Sequence, residues 1–142
     1  MLVNLHVKNF AIIDEIDVDF SSGLNILTGE TGAGKSILIG SIGIALGARV
    51  SQEIIGKHGD SAMVEIVFQI EDEETKEKLS RLGVDPDEGQ IVISRRITGS
   101  RSVNRINGEN VSVSVIRQVA ALCIDIHGPV SYTHLTLPTI PL

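Results

Sequence analysis

The residues Gly29-Glu30-Thr31-Gly32-Ala33-Gly34-Lys35-Ser36 match the pattern G-x-x-x-x-G-K-[ST] of a phosphate-binding P-loop, or Walker A motif. The spacing suits a nucleoside triphosphate. The glycines let the backbone curl so that successive N–H groups converge on phosphate oxygens. Lys35 supplies a point charge for the β- and γ-phosphates, and Ser36 a hydroxyl for Mg²⁺. The candidate binding residues are therefore Gly29, Glu30, Thr31, Gly32, Ala33, Gly34, Lys35 and Ser36, with Ser36 as the metal ligand and ATP with Mg²⁺ as the cofactors. No residue is assigned a catalytic role. Glu30 reads as a variable position of the loop, and neither it nor Asp125 carries a motif that would make it a water-activating base.

Such a motif works only between a strand and a helix. Leu24 to Thr28 is a short apolar run, as expected of a buried strand. Ile37 to Leu46 is apolar nearly all round and predicts a buried helix, which Gly47 is placed to end. The helix start near Lys35 would add the positive end of its dipole to the phosphate site.

The chain has 142 residues, enough for one domain or part of one, and 42% hydrophobic residues, enough for a packed core. Aromatic residues make up 3%, so Ile, Val and Leu must fill that core. The net charge of −6 and the lack of a long basic run make this segment a poor phosphate-backbone surface. Its one basic concentration, Arg95, Arg96, Arg101 and Arg105, reads as the solvated face of a hairpin. Cys123 is the single cysteine and sits in an apolar run, which predicts a core residue and no disulfide. The four histidines lack metal-ligand spacing. Ile37 to Leu46 is too short to span a bilayer, and the N-terminus reads as a strand rather than a leader. A cytosolic location without a membrane partner follows as the expectation.

Along the chain, Val3, Leu5 and Val7 alternate with polar residues, as do Ile16, Val18 and Phe20, predicting two strands, the second with an acidic outer face. Ser21 to Gly23 reads as a turn. Ala48 to Asp60 reads as a polar loop, in which Arg49 and Lys57 are solvated. Val64, Ile66, Phe68 and Ile70 predict an edge-type strand. Glu71 to Leu82 predicts a surface helix capped by Asp72, with Glu74–Lys78 and Glu77–Arg81 pairs and Gly83 as the stop. Ile91 to Thr98 and Arg101 to Ile106 predict paired strands, followed by an Asn107-Gly108 hairpin turn. Ser112 is placed to cap a helix carrying Val115, Ile116, Val119 and Leu122, and Cys123 to Ile126 reads as a short buried strand.

Leu5 to Asp14, Gly23 to Leu38, Arg101 to Gly108 and Ile124 to Gly128 together resemble the SMC-like ABC ATPases that serve bacterial DNA repair. The resemblance covers Met1 to Gly128. It implies an α/β P-loop NTPase fold of the ABC/SMC-type ATPase head, N-terminal lobe only, with a mixed sheet around the P-loop helix and an antiparallel hairpin region. It implies that the C-terminal half of the same head, beyond a coiled coil, supplies the signature motif, Walker B acids and switch histidine. It further implies a homodimer through ATP-bound heads, DNA as partner of the full-length protein, recombinational repair of double-strand breaks, and a bacterial, nucleoid-associated location. By family analogy, Lys8 to Asp14 is where adenine would sit, with Arg49 as an equal candidate.

The family pattern calls for a Q-loop glutamine after His127-Gly128, where this chain has Pro129. Residues 129–142 hold three of the four prolines and the only tyrosine, Tyr132, without a helical or strand period. Val130 to Thr139 resembles an in-frame translation of a sequencing adapter, so residues 1–128 are expected to form the lobe and 129–142 a non-native tail. Without the missing motifs the fragment is expected to bind ATP but not to hydrolyse it alone. Two alternatives stay open: a small P-loop kinase, with the Arg95 to Arg105 cluster as its lid, and a module that associates in response to nucleotide.

Overall fold

The computed structural model describes residues 2–20, 40–50, 52–99 and 101–125. The P-loop, the strand expected before it and the 129–142 tail lie outside the described residues. Among the described residues six strands form one sheet: β1 (Leu2–Phe10), β2 (Ile13–Asp19), β3 (Ser61–Gln69), β4 (Gln90–Thr98), β5 (Arg101–Ile106) and β6 (Glu109–Asn110). Their order is β2-β1-β3-β4-β5-β6, and every described pairing is antiparallel. Among the described residues three α-helices accompany it: α1, described over 40–45, α2 (Glu73–Arg81) and α3 (Val113–Asp125).

The period-two pattern decides which face is buried. Leu5 and Val7 of β1, Val64 and Ile66 of β3, and Ile91, Ile93 and Ile97 of β4 are all fully buried. They form one apolar cluster with Ile44 and Ala45 of α1, Leu79 of α2, and Ile116, Val119 and Cys123 of α3. Each buried Ile or Leu contributes about 1.5–3 kcal/mol, so this shared inner face is what holds the helices to the sheet.

Two expectations about elements are corrected. β3 is not an edge strand: it pairs with β1 on one side and β4 on the other. Alternation reports the faces of a strand but says nothing about how many neighbours it has. Nor is Cys123 to Ile126 a strand, since α3 continues through Asp125. The buried residues Ile116, Val119, Ala120 and Cys123 follow helical spacing, so the last apolar residues extend the buried stripe of α3.

The α2 helix starts where its cap was expected. Asp72 Oδ2 accepts hydrogen bonds from the Thr75 backbone N at 3.1 Å and Thr75 Oγ1 at 2.8 Å. The Thr75 hydroxyl is the main cause holding the Asp72 carboxyl below its ordinary value. A lowered folded-state value means that the stabilisation is present above the unfolded-state value and is lost as pH falls through the folded one. Asp72→Ala is therefore expected to lower the urea midpoint at neutral pH. Its difference from the parent chain should shrink as pH falls below the ordinary carboxylate range and through the lowered folded-state value, and a pH-independent difference would exclude the carboxylate as cause. Lys78–Glu74 (3.3 Å) and Arg81–Glu77 (2.9 Å) are paired as expected, and Gly83 takes φ +83° after the helix.

Asn9 fastens the loop after α1 to the β1–β2 hairpin. It lies at φ +50°, a conformation Asn tolerates better than most residues. Its Oδ1 accepts from His58 N (2.9 Å), its Nδ2 donates to Ser61 O (2.9 Å), and its carbonyl accepts from Gly56 N (2.8 Å). Ala11 N donates to Ile54 O at 2.6 Å beside it. A Cβ at Gly56 would lie 2.8 Å from the Ala11 carbonyl oxygen, so this crossing needs glycine.

Candidate nucleotide-binding site

Gly29, Glu30, Thr31, Gly32, Ala33, Gly34, Lys35 and Ser36 all lie outside the described residues. The described part of the site is its support, the C-terminal end of the helix that follows the motif in sequence. α1 ends as the sequence predicts. Gly47 has φ +105°, Gly47 N donates to Ile44 O and Ala48 N to Gly43 O, both at 3.0 Å. Gly47 is required twice over, because a Cβ there would also lie 2.6 Å from Arg117 Cγ.

The last carbonyls of a helix carry partial negative charge and lack partners within the helix. Here two arginines from other elements meet them. Arg95 Nη1 of β4 donates to Ile44 O (2.7 Å) and Ala48 O (2.8 Å). Arg117 Nε of α3 donates to Gly47 O at 2.9 Å. The rest of the Arg95 guanidinium is held by β5, with Nε donating to Asn104 Oδ1 (2.8 Å) and Nη2 to Ser102 Oγ (3.4 Å). Burial, and then the nearby Arg117 charge, lower the Arg95 pKa from its ordinary value. The clamp ties three elements, α1, β4 and α3, into one support.

This corrects the reading of Arg95 as part of a solvated hairpin face, for the residue is 2% exposed. The signal was in the parity of the strand. Arg95 alternates in step with the buried Ile91, Ile93 and Ile97, whereas Arg96 does not. A buried arginine on an apolar face needs several acceptors, and the end of α1 supplies two of them. Arg49 and Lys57 are exposed in the loop after α1, and Lys8 is exposed on β1. His6 is paired with Glu15 at 2.7 Å. Asp125 is the last residue of α3. Among the described residues, no group of three or more His, Cys, Asp or Glu could hold a metal ion. No described helix is long and apolar enough to cross a membrane.

Cys123 is fully buried, and burial pushes its thiol up to about 12. The protonated, enclosed thiol is expected to resist aromatic disulfide reagents in the folded chain and to react only as the fold opens. Labelling in rising urea should track the unfolding curve, and fast labelling in buffer would contradict the burial.

The fold is that of an SMC-type ATPase head, represented by its N-terminal lobe. A solved SMC ATPase chain, from a study of ATP-driven dimerization and DNA-stimulated activation, superposes with a TM-score of 0.67 at 22% identity, covering 96% of this chain and 97% of that one. Residues 4–124 match the family model described as AAA domain, and the chain belongs to that family. Its sequence is similar to the DNA repair protein RecN of Halalkalibacterium halodurans, with 42% identity over 139 residues, 96% of this chain and 24% of that protein. RecN of Bacillus subtilis is 42% identical over 130 residues, 90% of this chain and 23% of that protein. The chain thus spans about a quarter of the length of these relatives. The likeness to RecN is therefore established, and the described sheet and helices are those of the head's N-terminal lobe.

Proposed function

We propose that this chain is the ATP-binding part of a RecN-like ATPase acting in recombinational repair of DNA double-strand breaks. The observation that carries the reading is the coincidence of a complete P-loop sequence with an SMC-type head fold whose post-motif helix is clamped at its far end. Gly29 to Ser36 hold the triphosphate, with Lys35 at the β- and γ-phosphates. Mg²⁺ takes oxygen donors and commonly keeps one or two protein ligands beside phosphate oxygens, a donor set that the Ser36 hydroxyl fits. The metal would neutralise charge on the phosphates.

In this reading the lobe, residues 1–128, pairs with the C-terminal half of the same head, and two ATP-bound heads form a homodimer. DNA is engaged by the full-length protein in the bacterial cytoplasm, at the nucleoid. Residues 129–142 are a non-native tail, which sequencing the source DNA across the Gly128 codon tests: a frame continuing with glutamine supports the tail's removal, and a genomic Pro129 refutes it. By itself the chain binds ATP and does not turn it over. Titration with a fluorescent ATP analogue, with and without Mg²⁺, should show metal-dependent binding. Phosphate release or transfer to a small acceptor would instead favour the kinase reading.

A further inference from the structure

Asn107 closes the β5–β6 hairpin, and its side chain is bound by residues well before it in sequence. Its backbone N donates to Val92 O at 2.9 Å, and Val92 N donates to its Oδ1 at 2.8 Å. The side chain thus adds one step to the β4–β5 ladder beyond the Ile93–Ile106 pair, with its amide oxygen in the place of a backbone carbonyl. Its Nδ2 donates to Asp85 O and to Gln90 O, each at 3.2 Å. Three hydrogen bonds therefore hold the carboxamide against the start of β4 and the loop before it. Asn107 lies at φ +50° and Gly108 at φ +85°, in a turn closed by the Ile106–Glu109 pair. Asn107 is half-buried and Gly108 exposed. Both line an open recess with Asp87, Gln90 and Val92, so water reaches the turn.

An asparagine followed by glycine carries its own electrophile and nucleophile. Once the Gly108 N–H gives its proton to hydroxide, that nitrogen can attack Asn107 Cγ. A C–N bond forms, the Cγ–Nδ2 bond breaks, and Nδ2 leaves as ammonia with a proton from water, which returns the hydroxide. The cyclic succinimide then takes up one water at either carbonyl and opens to aspartate or to isoaspartate. Nothing is oxidised or reduced. A side chain on the following residue crowds the attacking nitrogen, and glycine has none. Asn107 is the one asparagine of the chain with glycine after it; the others precede Leu5, Phe10, Ile26, Arg105 and Val111.

We propose that Asn107 is a site of spontaneous covalent modification, held unreactive by the folded hairpin and converted to aspartate and isoaspartate when the hairpin opens. The inference rests on the hairpin alone and is independent of the nucleotide reading. Attack needs Cγ to swing toward Gly108 N, whereas the three bonds keep the carboxamide on β4 and the loop before it. Reaction therefore waits on the release of all three, a local opening that takes the turn and the Val92 ladder step apart. The products do not fit back. An ionised aspartate has no proton to donate, so its carboxylate would face the Asp85 and Gln90 carbonyl oxygens and add charge beside Asp87 and Glu109. Isoaspartate adds a methylene to the main chain, which shifts the turn and the buried Ile106 before it. Opening of the hairpin is thus recorded irreversibly in the covalent structure.

The test is peptide mapping of the full 142-residue chain after incubation in buffer and in denaturing urea at one pH and temperature. Cleavage after arginine gives a peptide, residues 106–117, that carries Asn107 and Asn110 together, so Asn110 is the internal reference. Conversion is read as the amide-to-acid mass change, and isoaspartate as methyl groups accepted from an isoaspartyl methyltransferase. Asn107 should convert at least about tenfold faster in urea than in buffer, the least that release of three hydrogen bonds implies. Asn110 should stay largely intact in both. Gly108→Ala, compared in urea where the turn conformation no longer matters, should slow conversion at Asn107. Asn107→Asp should lower the urea midpoint, whereas Asn110→Asp, at a side chain that only accepts from Arg105 Nε, should not. Equal rates at Asn107 in buffer and urea, or no conversion in urea, overturns the inference. An Asn107→Asp chain with the parent's midpoint overturns the claim that the product does not fit.

Discussion

Arg95→Met should destabilise the folded chain by about 2–4 kcal/mol. A buried carbonyl left without its donor costs about 1–3 kcal/mol, and methionine fills most of the space without donating to Ile44 O, Ala48 O or Asn104 Oδ1. Two effects act the other way. Removing the guanidinium ends the desolvation of a buried charge and its repulsion with Arg117. Ile44 O keeps the Gly47 N–H as a donor, but neither effect restores the donor that Ala48 O and Asn104 Oδ1 lose, so the net effect stays unfavourable. Arg95→Lys keeps the charge but not the planar fork, and one ammonium cannot serve the end of α1 and the β5 side chains together. It should fall between the parent and Arg95→Met. Urea denaturation checks the series: the midpoint should fall in that order at unchanged m-value. Equal midpoints for all three chains would mean that the clamp carries no stability. Arg96→Met, on the exposed face of the same strand, should change stability by less than about 0.5 kcal/mol.

Lys35→Ala carries the largest expected effect on binding. Hydrogen bonds between charged groups contribute about 1.5–3 kcal/mol each, and about 1.4 kcal/mol is a tenfold change in affinity. Loss of the lysine should weaken Mg²⁺–ATP binding roughly tenfold to a hundredfold, with the urea midpoint preserved, since the charge serves the ligand and not the core. Ser36→Ala should act differently, reducing the gain in affinity that Mg²⁺ confers while leaving metal-free binding nearly unchanged. Calorimetric titration of ATP into each variant, with and without the metal, separates the two roles. Unchanged affinity in Lys35→Ala would count against the P-loop assignment itself.

These predictions divide along the line between local and non-local information. Features decided between near neighbours are legible along the chain. The phosphate-binding pattern is contiguous from Gly29 to Ser36, the end of α1 is marked by Gly47, and Asp72 caps α2 through a residue three positions on. The β5–β6 turn at Asn107-Gly108 has both residues at positive φ, as its dipeptide predicts. Strand faces were legible because side chains alternate.

The tertiary structure decided what depends on partners distant in the chain. Alternation could not show that β3 lies between β1 and β4, because a strand carries no sign of how many neighbours it has. A short apolar run after Leu122 could be helix or strand, and packing of α3 on the core settled it as helix. Composition counted Arg95, Arg96, Arg101 and Arg105 as one basic cluster. Folding separated them because adjacent residues on a strand face opposite ways, so one arginine meets the end of α1, about fifty residues earlier in the chain, and three face solvent. Net charge sums over the chain, whereas a binding surface depends on which charges fall within a Debye length of one another. That distance is set by strand order and register together.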